Sequence, residues 1–355
     1  MLNRIKGIAE RLYIKIAVWY NFLAREIRFG FKGFGIKRVI LISKGFNSQR
    51  SIPYDLIKWK YSDYISDFEQ LKLQFINHPN NKLLNNKLIF STFFNSYFRT
   101  PNCYCIIRKG SFMPVSSKTA INCIEDIAKL LEKSNKLILK PLEGMGAKGI
   151  YLISLNNETF QVNYKSYSNQ DFRNFIISLD DYLLEEFIIQ GSFTERLYPK
   201  STNTIRLITL IDPSTSIPFV AIATLRIGTS ISAPVDFFRK GGLISYINIE
   251  NGKLSESMAK SNNHSLIFFD YHPETKEQIK GVLIPGWNDI VFKILQTAKA
   301  VAPLIKIVGW DLLLTDEGFA VIEGNTGPDI KIQGLNYPLA KNEHVLNFLK
   351  YYKIR

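Results

Sequence analysis

The chain is poor in cysteine, histidine and acid. Its 355 residues include three cysteines, four histidines and four methionines, with 31 acidic residues against 45 basic ones. Cys103, Cys105 and Cys123 are too few and too oddly spaced for a disulfide framework, and Cys103-x-Cys105 has no second pair to complete a zinc site. A reducing cytoplasm is the natural setting. His78, His264, His272 and His344 are scattered, which argues against a histidine-based metal centre. No Ser-His-Asp or Cys-His arrangement offers a side-chain nucleophile. Long apolar runs are missing too, so no stretch reaches the length of a membrane span, and the N-terminus lacks the apolar core and cleavage site of a signal peptide. Internal repeats and low-complexity tracts are absent.

What is present is a folded chain: 46% hydrophobic residues with 13% aromatics, long enough for two or three structural units. The net charge of +14 is unevenly spread. Residues 1–50 carry eleven basic side chains and two acids (Glu10, Glu26), a balance of +9 that leaves +5 for the rest. Within Met1–Phe29, apolar residues from Ile5 and Ile8 through Leu12, Ile16, Trp19, Leu23 and Ile27 recur at three- and four-residue steps, predicting a long amphipathic helix with a basic opposite side. Two readings are open. The helix lies on an anionic membrane surface, or it packs on the main body and its lysines are merely solvated. No base-stacking or groove-reading motif accompanies the charge, so no nucleic-acid partner is expected.

Further along, Arg38–Ser43 reads as a short strand, Tyr61–Phe75 and Lys87–Phe98 as helical, and Ile124–Lys133 as another helix. Then comes NKLILKPLEGMGAKGIYLIS. Gly144, Gly146 and Gly149 have the spacing GxGxxG, which in a dinucleotide fold would open a helix. Here a strand follows, so the pattern is strand, glycine loop, strand. Such a flap can cover phosphates with its backbone N–H groups, and Lys140 at the end of the first strand can pair with a phosphate. A plain glycine hairpin with a surface lysine is the other reading. Asp181–Gln190 is predicted as a strand whose Glu185-Glu186 step marks either a solvent-facing edge or a site. Asn203–Ile211 and Ala221–Gly228 read as buried strands, each with one arginine, Arg206 and Arg226. Their forked guanidinium groups suit a phosphate or carboxylate ligand, or an interior acid. Val235–Gly242 reads as a mobile loop, Tyr246–Leu254 as a hairpin, Trp287–Ala302 as a helix capped by Asn288, and Ala340–Lys353 as a basic C-terminal helix.

The most informative stretch is VGWDLLLTDEGFAVIEGN, Val308–Asn325, two β-rich runs around a polar tip. If Asp311 lies opposite Glu323, two carboxylates repel within an apolar strand pair, and Asn325 projects from the same face. A divalent cation resolves the repulsion, and this hard-oxygen set suits Mg²⁺. A one-residue slip in register would instead turn one acid to solvent.

The ordered set KPLEGMGAKGI, LEEFIIQ, STNTIRLITL, ATLRIGT, VDFFRKGGL, the His272-Pro273 turn, IPGWND and the final hairpin resembles the ATP-grasp superfamily. More closely, it is similar to the sugar-transfer-associated ATP-grasp family found among bacterial polysaccharide genes. The resemblance implies an α+β fold of two lobes that hold ATP between them. It implies a basic N-terminal region (1–85), an N-lobe (86–190), a C-lobe (191–335) and a C-terminal helix (336–355). By the same resemblance Lys87 and Lys140 contact phosphates under the flap, the hinge Glu185, Glu186 to Ile188 meets adenine through its backbone, and Asp311, Glu323 and Asn325 hold Mg²⁺. Arg206 and Arg226 match arginines that neutralise the γ-phosphate and the acyl phosphate in ligases of the superfamily. Phe237 departs from the family pattern, which has Asn after the loop's Asp. The expected activity is a carboxylate–amine ligase acting on a small-molecule or glycan-precursor substrate. The alternatives are a kinase acting on a hydroxyl, for which Asp236 is the candidate base, and a non-catalytic nucleotide-binding scaffold at the membrane.

Overall fold

The computed structural model describes residues 2–29, 36–48, 60–115, 119–144, 149–156, 159–261, 265–330 and 337–355, with the side chains of 2–11, 29 and 37 left aside. The chain forms two compact units. One comprises Met1–Asn81, Ser192–Asp311 and Asn325–Arg355, the other Lys82–Gly191 and Leu312–Gly324. Each contains, or contributes most of, a seven-stranded sheet.

The first unit begins with helices α1 (Leu2–Phe29), α2 (Ile36–Ser43) and α3 (Asp67–Leu73). Helix α3 starts with a capping box: the Ser66 hydroxyl accepts from the Glu69 N–H while the Glu69 carboxylate accepts from the Ser66 N–H. Val18 and Phe22 of α1 are buried against Leu71, with Phe68, Phe75 and Ile42 around them. The segment predicted as a strand, Arg38–Ser43, is therefore helical. Its Val39-Ile40 run favours β structure weakly, and the packing of Ile42 into this cluster decides the matter.

The second unit carries helices α4 (Lys82–Asn85), α5 (Lys87–Phe94), α6 (Ile124–Ser134) and α7 (Asn169–Ile177). Its strands are β1 (Cys103–Arg108), β2 (Ser111–Pro114), β3 (Lys136–Pro141), β4 (Tyr151–Asn156), β5 (Thr159–Val162), β6 (Lys165–Tyr167) and β7 (Tyr182–Glu186). They line up as β2-β1-β7-β3-β4-β5-β6, each described pairing antiparallel. Ile127 and Leu131 of α6 and Phe172 and Ile176 of α7 pack on this sheet through Leu137, Leu139, Ile153 and Leu184. The predicted strand–glycine loop–strand is present as β3 and β4. Strand β7 is flanked by β1 and β3, so its acids do not lie on a sheet edge, and it ends at Glu186 rather than Gln190.

Returning to the first unit, the chain forms α8 (Ser192–Leu197), β8 (Thr204–Ile211), β9 (Pro218–Ile227), β10 (Leu243–Ile247), β11 (Leu254–Lys260) and β12 (Leu266–Phe269). Helix α9 (Trp287–Val301), β13 (Ile307–Thr315), β14 (Gly318–Asn325) and α10 (Glu343–Tyr351) follow. The sheet order is β12-β11-β10-β9-β8-β13-β14. All eight residues of β8 are buried, as a strand covered on both faces requires. Ile208, Leu210 and Ile222 pack with Val345, Phe348 and Leu349 of α10 and with Leu73. Helix α9 is capped by Gly286 (φ 63°), not by Asn288. That geometry sets Trp287 in the first helical position, where its indole N–H donates to the Ile249 carbonyl at 2.8 Å. The loop predicted as mobile folds down instead, with Phe238 buried against Ile244 and Met258.

Candidate functional site

In the second unit, antiparallel pairing of β3 with β7 sets Ile138 opposite Glu185 and Lys140 opposite Leu183. Lys140 and Glu185 are both buried and form an ion pair. Burial pulls the Lys140 ammonium down, but the Glu185 charge and hydrogen bond outweigh it, so its pKa lies above the usual lysine value. Lys87 opens α5, where its backbone N–H donates to the Leu142 carbonyl at 3.0 Å. Burial lowers the pKa of Lys87, Glu323 opposes the shift, and Lys140 adds to it. The unit thus gathers Lys87, Lys140, Glu185 and Glu323 into one electrostatic group. Within it, Lys87 is the ammonium that burial disfavours and that a further anion would stabilise.

The two hinge acids part ways. Glu186 accepts from Arg99 Nη2 at 2.9 Å and from the backbone and side-chain amides of Asn102 at 3.1 and 3.0 Å. That role ties β7 to the start of β1, and nothing in the local sequence signals a partner 87 positions away. Ile188 is buried with Leu313 and Ala320. Of the glycines, Gly144 (φ 154°) and Gly149 (φ 71°) both have left-handed backbone. A Cβ on Gly149 would stand 2.6 Å from the Tyr182 hydroxyl. Gly146 lies outside the described residues.

In the first unit, three adjacent strands and the loop that follows β9 bring four charges together. Arg206 on β8 grips Asp311 on β13 with both forks, Nε to Oδ1 and Nη2 to Oδ2, the latter at 2.7 Å. Arg226 on β9 reaches the same Oδ2 at 3.1 Å and stands 3.6 Å from Asp236. Thr204 lies opposite Arg226 in the β8–β9 register. Its hydroxyl accepts from Arg226 Nε at 3.0 Å, and it gives both its N–H and its hydroxyl proton to Asp236. The two guanidinium groups and two carboxylates are mostly buried and balance to zero net charge. Burial pushes the Asp236 carboxyl up, and Arg226 counteracts it. Asp236 therefore sits as the holder of Arg226 and Thr204. Spacing along the chain does not disclose this pairing.

Asp311 and Asn325 belong to the first unit and Glu323 to the second. The Asn325 amide nitrogen donates to the Gly309 carbonyl at 3.4 Å. Among the described residues no group of three or more His, Cys, Asp or Glu side chains is set to hold a metal ion. A cation drawing on Asp311, Glu323 and Asn325 would use two carboxylates and an amide. These are hard oxygen donors of the kind that suits Mg²⁺, and the Asp311 carboxylate also answers to both arginines.

Other residues of the recognised segments have structural work. Buried His272 donates from Nε2 to the Gly228 carbonyl (2.9 Å) and accepts at Nδ1 from the N–H groups of Glu274 and Thr275. The Asn203 amide donates to the carbonyls of Thr194 and Tyr198, and its oxygen accepts from the Gly228 N–H. Burial lifts the Cys103 and Cys105 thiols to about 12, so neither is a thiolate near neutral pH.

The chain is similar to several solved structures. D-alanyl-alanine synthetase A from Vibrio cholerae is 9% identical, with a TM-score of 0.45, covering 77% of this chain and 66% of its own. The macrocyclase MdnC, solved with precursor peptide MdnA from Microcystis aeruginosa, is 10% identical (TM-score 0.40; 78% of this chain and 65% of its own). The ATP-grasp ligase PsnB, complexed with a phosphomimetic variant of its minimal precursor, Mg and ADP, is 11% identical (TM-score 0.39; 79% and 61%). At such identities the likeness concerns the fold alone. Across the first three solved structures matched, this chain covers 57%, 45% and 66% of the other chain's length. No curated protein matches the chain. The profile described as sugar-transfer associated ATP-grasp matches residues 68–346, most of the sequence and both units, and the chain belongs to that family.

Proposed function

We propose that the protein is an ATP- and Mg²⁺-dependent carboxylate–amine ligase acting in the cytoplasm on a precursor of a bacterial cell-surface glycan. The observation that carries this reading is the buried Arg206–Asp311–Arg226–Asp236 group in a member of the ATP-grasp family. Two guanidinium groups fixed by carboxylates and screened from water are pre-organised to stabilise charge that builds up during reaction.

In the proposed reaction, a substrate carboxylate oxygen bonds to the γ-phosphorus as the bond to the β-phosphate oxygen breaks, and ADP leaves. An amine then attacks the acyl carbon. The carbon–oxygen bond to phosphate breaks, phosphate departs with the electron pair, and the amine loses its proton. Negative charge shifts among phosphate oxygens in both steps, and forked donors from Arg206 and Arg226 follow it. Lys87 and Lys140 position the triphosphate, with Glu185 fixing the Lys140 ammonium. Gly144, Gly146 and Gly149 let the loop backbone approach the phosphates. The backbone from Glu185 and Glu186 to Ile188 would meet adenine. Asp311, Glu323 and Asn325 would hold Mg²⁺, which when bound neutralises triphosphate charge and fixes its geometry.

The test supplies Mg·ATP and panels of acids and amines to the purified protein. Free phosphate should appear only when acid and amine are both present, and hydroxylamine should replace the amine and yield a hydroxamate. Phosphorylated hydroxyl product without free phosphate would make the protein a kinase. No turnover over a broad panel would favour a nucleotide-binding scaffold.

A further inference from the structure

We propose that the outward face of α1 and α2 is a docking surface for an anionic lipid bilayer. From Leu12 onward most of the apolar stripe of α1 is turned to solvent, and Trp19 also rests one side of its ring on Phe68, with centroids 4.6 Å apart. Leu12, Ile16, Trp19, Leu23 and Ile27 are all exposed, Ile27 at 83%. Tyr13 and Tyr20 flank the stripe, and Ile36 (81%) and Val39 on α2 are exposed as well. Soluble proteins seldom leave so many large apolar side chains together in water.

The neighbouring face of α1 is fastened down, so this exposure belongs to the fold. Val18 and Phe22 are buried against Leu71. Buried Glu26 accepts from Arg38 Nε at 2.8 Å, from the Ser48 N–H at 2.7 Å and from the Asn47 amide at 3.5 Å. Helix α1 is thus anchored along one face, with its second apolar face outward.

Charge selects the occupant. Residues 1–50 carry +9, and one of their two acids, Glu26, is buried on the inner side. Lys15, Arg28 and Lys44 are exposed. A second copy of the chain would bring a surface of the same sign against this one, which like-charge repulsion opposes. An anionic bilayer offers an apolar interior for the aliphatic side chains, a headgroup layer suited to Trp19, Tyr13 and Tyr20, and negative charge for the lysines and arginines. No helix of the described residues is long and apolar enough to cross a membrane, so the fit is to lying in the interface.

The experiment uses the full chain with vesicles of phosphatidylcholine alone or mixed with phosphatidylglycerol, read by co-sedimentation and by tryptophan fluorescence. Binding is expected only with the anionic lipid, falling as salt rises. The double variant Ile16→Glu/Ile27→Glu should reduce partitioning about tenfold or more, because two outward apolar groups are lost and two negative charges are gained. Its melting temperature should stay at the wild-type value, which separates docking from folding. Trp19→Phe should abolish the blue shift without abolishing binding. Absence of wild-type binding to anionic vesicles, or equal binding by the double variant, would overturn the proposal. So would a concentration-dependent dimer that the same substitutions dissolve, since the face would then join copies of the chain.

Discussion

Lys140 and Glu185 show how a residue serves both the fold and the proposed chemistry. Breaking a buried pair strands a charge, so Lys140→Met should cost about 3–5 kcal/mol of stability. Replacing both partners with apolar residues should recover most of that loss in urea unfolding, while ATP affinity stays low in both variants. Recovery of ATP binding together with stability would make the lysine purely structural. The pH dependence has a definite sign. The folded Lys140 pKa lies above 10.5, so its contribution is complete below that pH and disappears as pH rises through the folded value. Lys87 behaves oppositely: its folded pKa is depressed by burial, so its protonated form costs stability, and the cost lifts as pH climbs towards 10.5. A bound triphosphate should reverse that depression. Titrating ATP on the alkaline side in buffers of different ionisation heat should therefore show proton uptake, whereas absence of proton linkage would separate Lys87 from the phosphates. Gly149 supplies another test at this scale. With φ at 71° and the Tyr182 hydroxyl 2.6 Å from where a Cβ would stand, Gly149→Ala should lose about 1–3 kcal/mol in denaturant unfolding.

Among the elements, α1 makes the sharpest contrast between its two faces. Phe22→Ala should cost about 3–5 kcal/mol because it empties a filled site, while Ile27→Ser should change stability by no more than about 0.5 kcal/mol. Chemical denaturation of the two variants measures both, and equal losses would mean that the outer face is covered. The same helix shows what a linear reading conveys. Its periodicity is plain, and so are the glycine loop between β3 and β4 and the arginine-bearing strands β8 and β9, because pattern and spacing are local properties. Helix α2 was hidden, since its β-branched run favours strand and only the packing of Ile42 decides otherwise. The choice of Gly286 as cap in place of Asn288 depended on where Trp287 finds a hydrogen-bond acceptor, 38 residues back. Most instructive is the partner of Arg206. An arginine among aliphatic residues announces that it needs an anion, yet Asp311 lies 105 positions away and becomes a neighbour only through the order β9-β8-β13. Likewise Asp236 is visible as an acid in a loop, and its hold on Thr204 and Arg226 is not.

For the whole molecule, the two units interleave along the chain, with crossings after Asn81, Gly191, Asp311 and Gly324. The second unit is completed by the late stretch from Leu312 to Gly324, whose Leu313 and Ala320 bury Ile188 and whose Gly324 lies against Phe90 and Leu84. A fragment of residues 82–191 alone lacks these contacts and should show no cooperative unfolding transition, while a sharp transition would show that the late stretch is dispensable. Family membership spans both units, and the proposed ligase reading starts from it. That reading is tested most directly by following an atom. If the substrate carboxylate carries heavy oxygen, an acyl phosphate intermediate must deliver one labelled oxygen to the inorganic phosphate released with each amide formed. That transfer is expected in the wild-type protein, with product formation lost in Arg226→Ala while ATP still binds. Unlabelled phosphate, or a phosphoryl group recovered on a substrate hydroxyl, would contradict it.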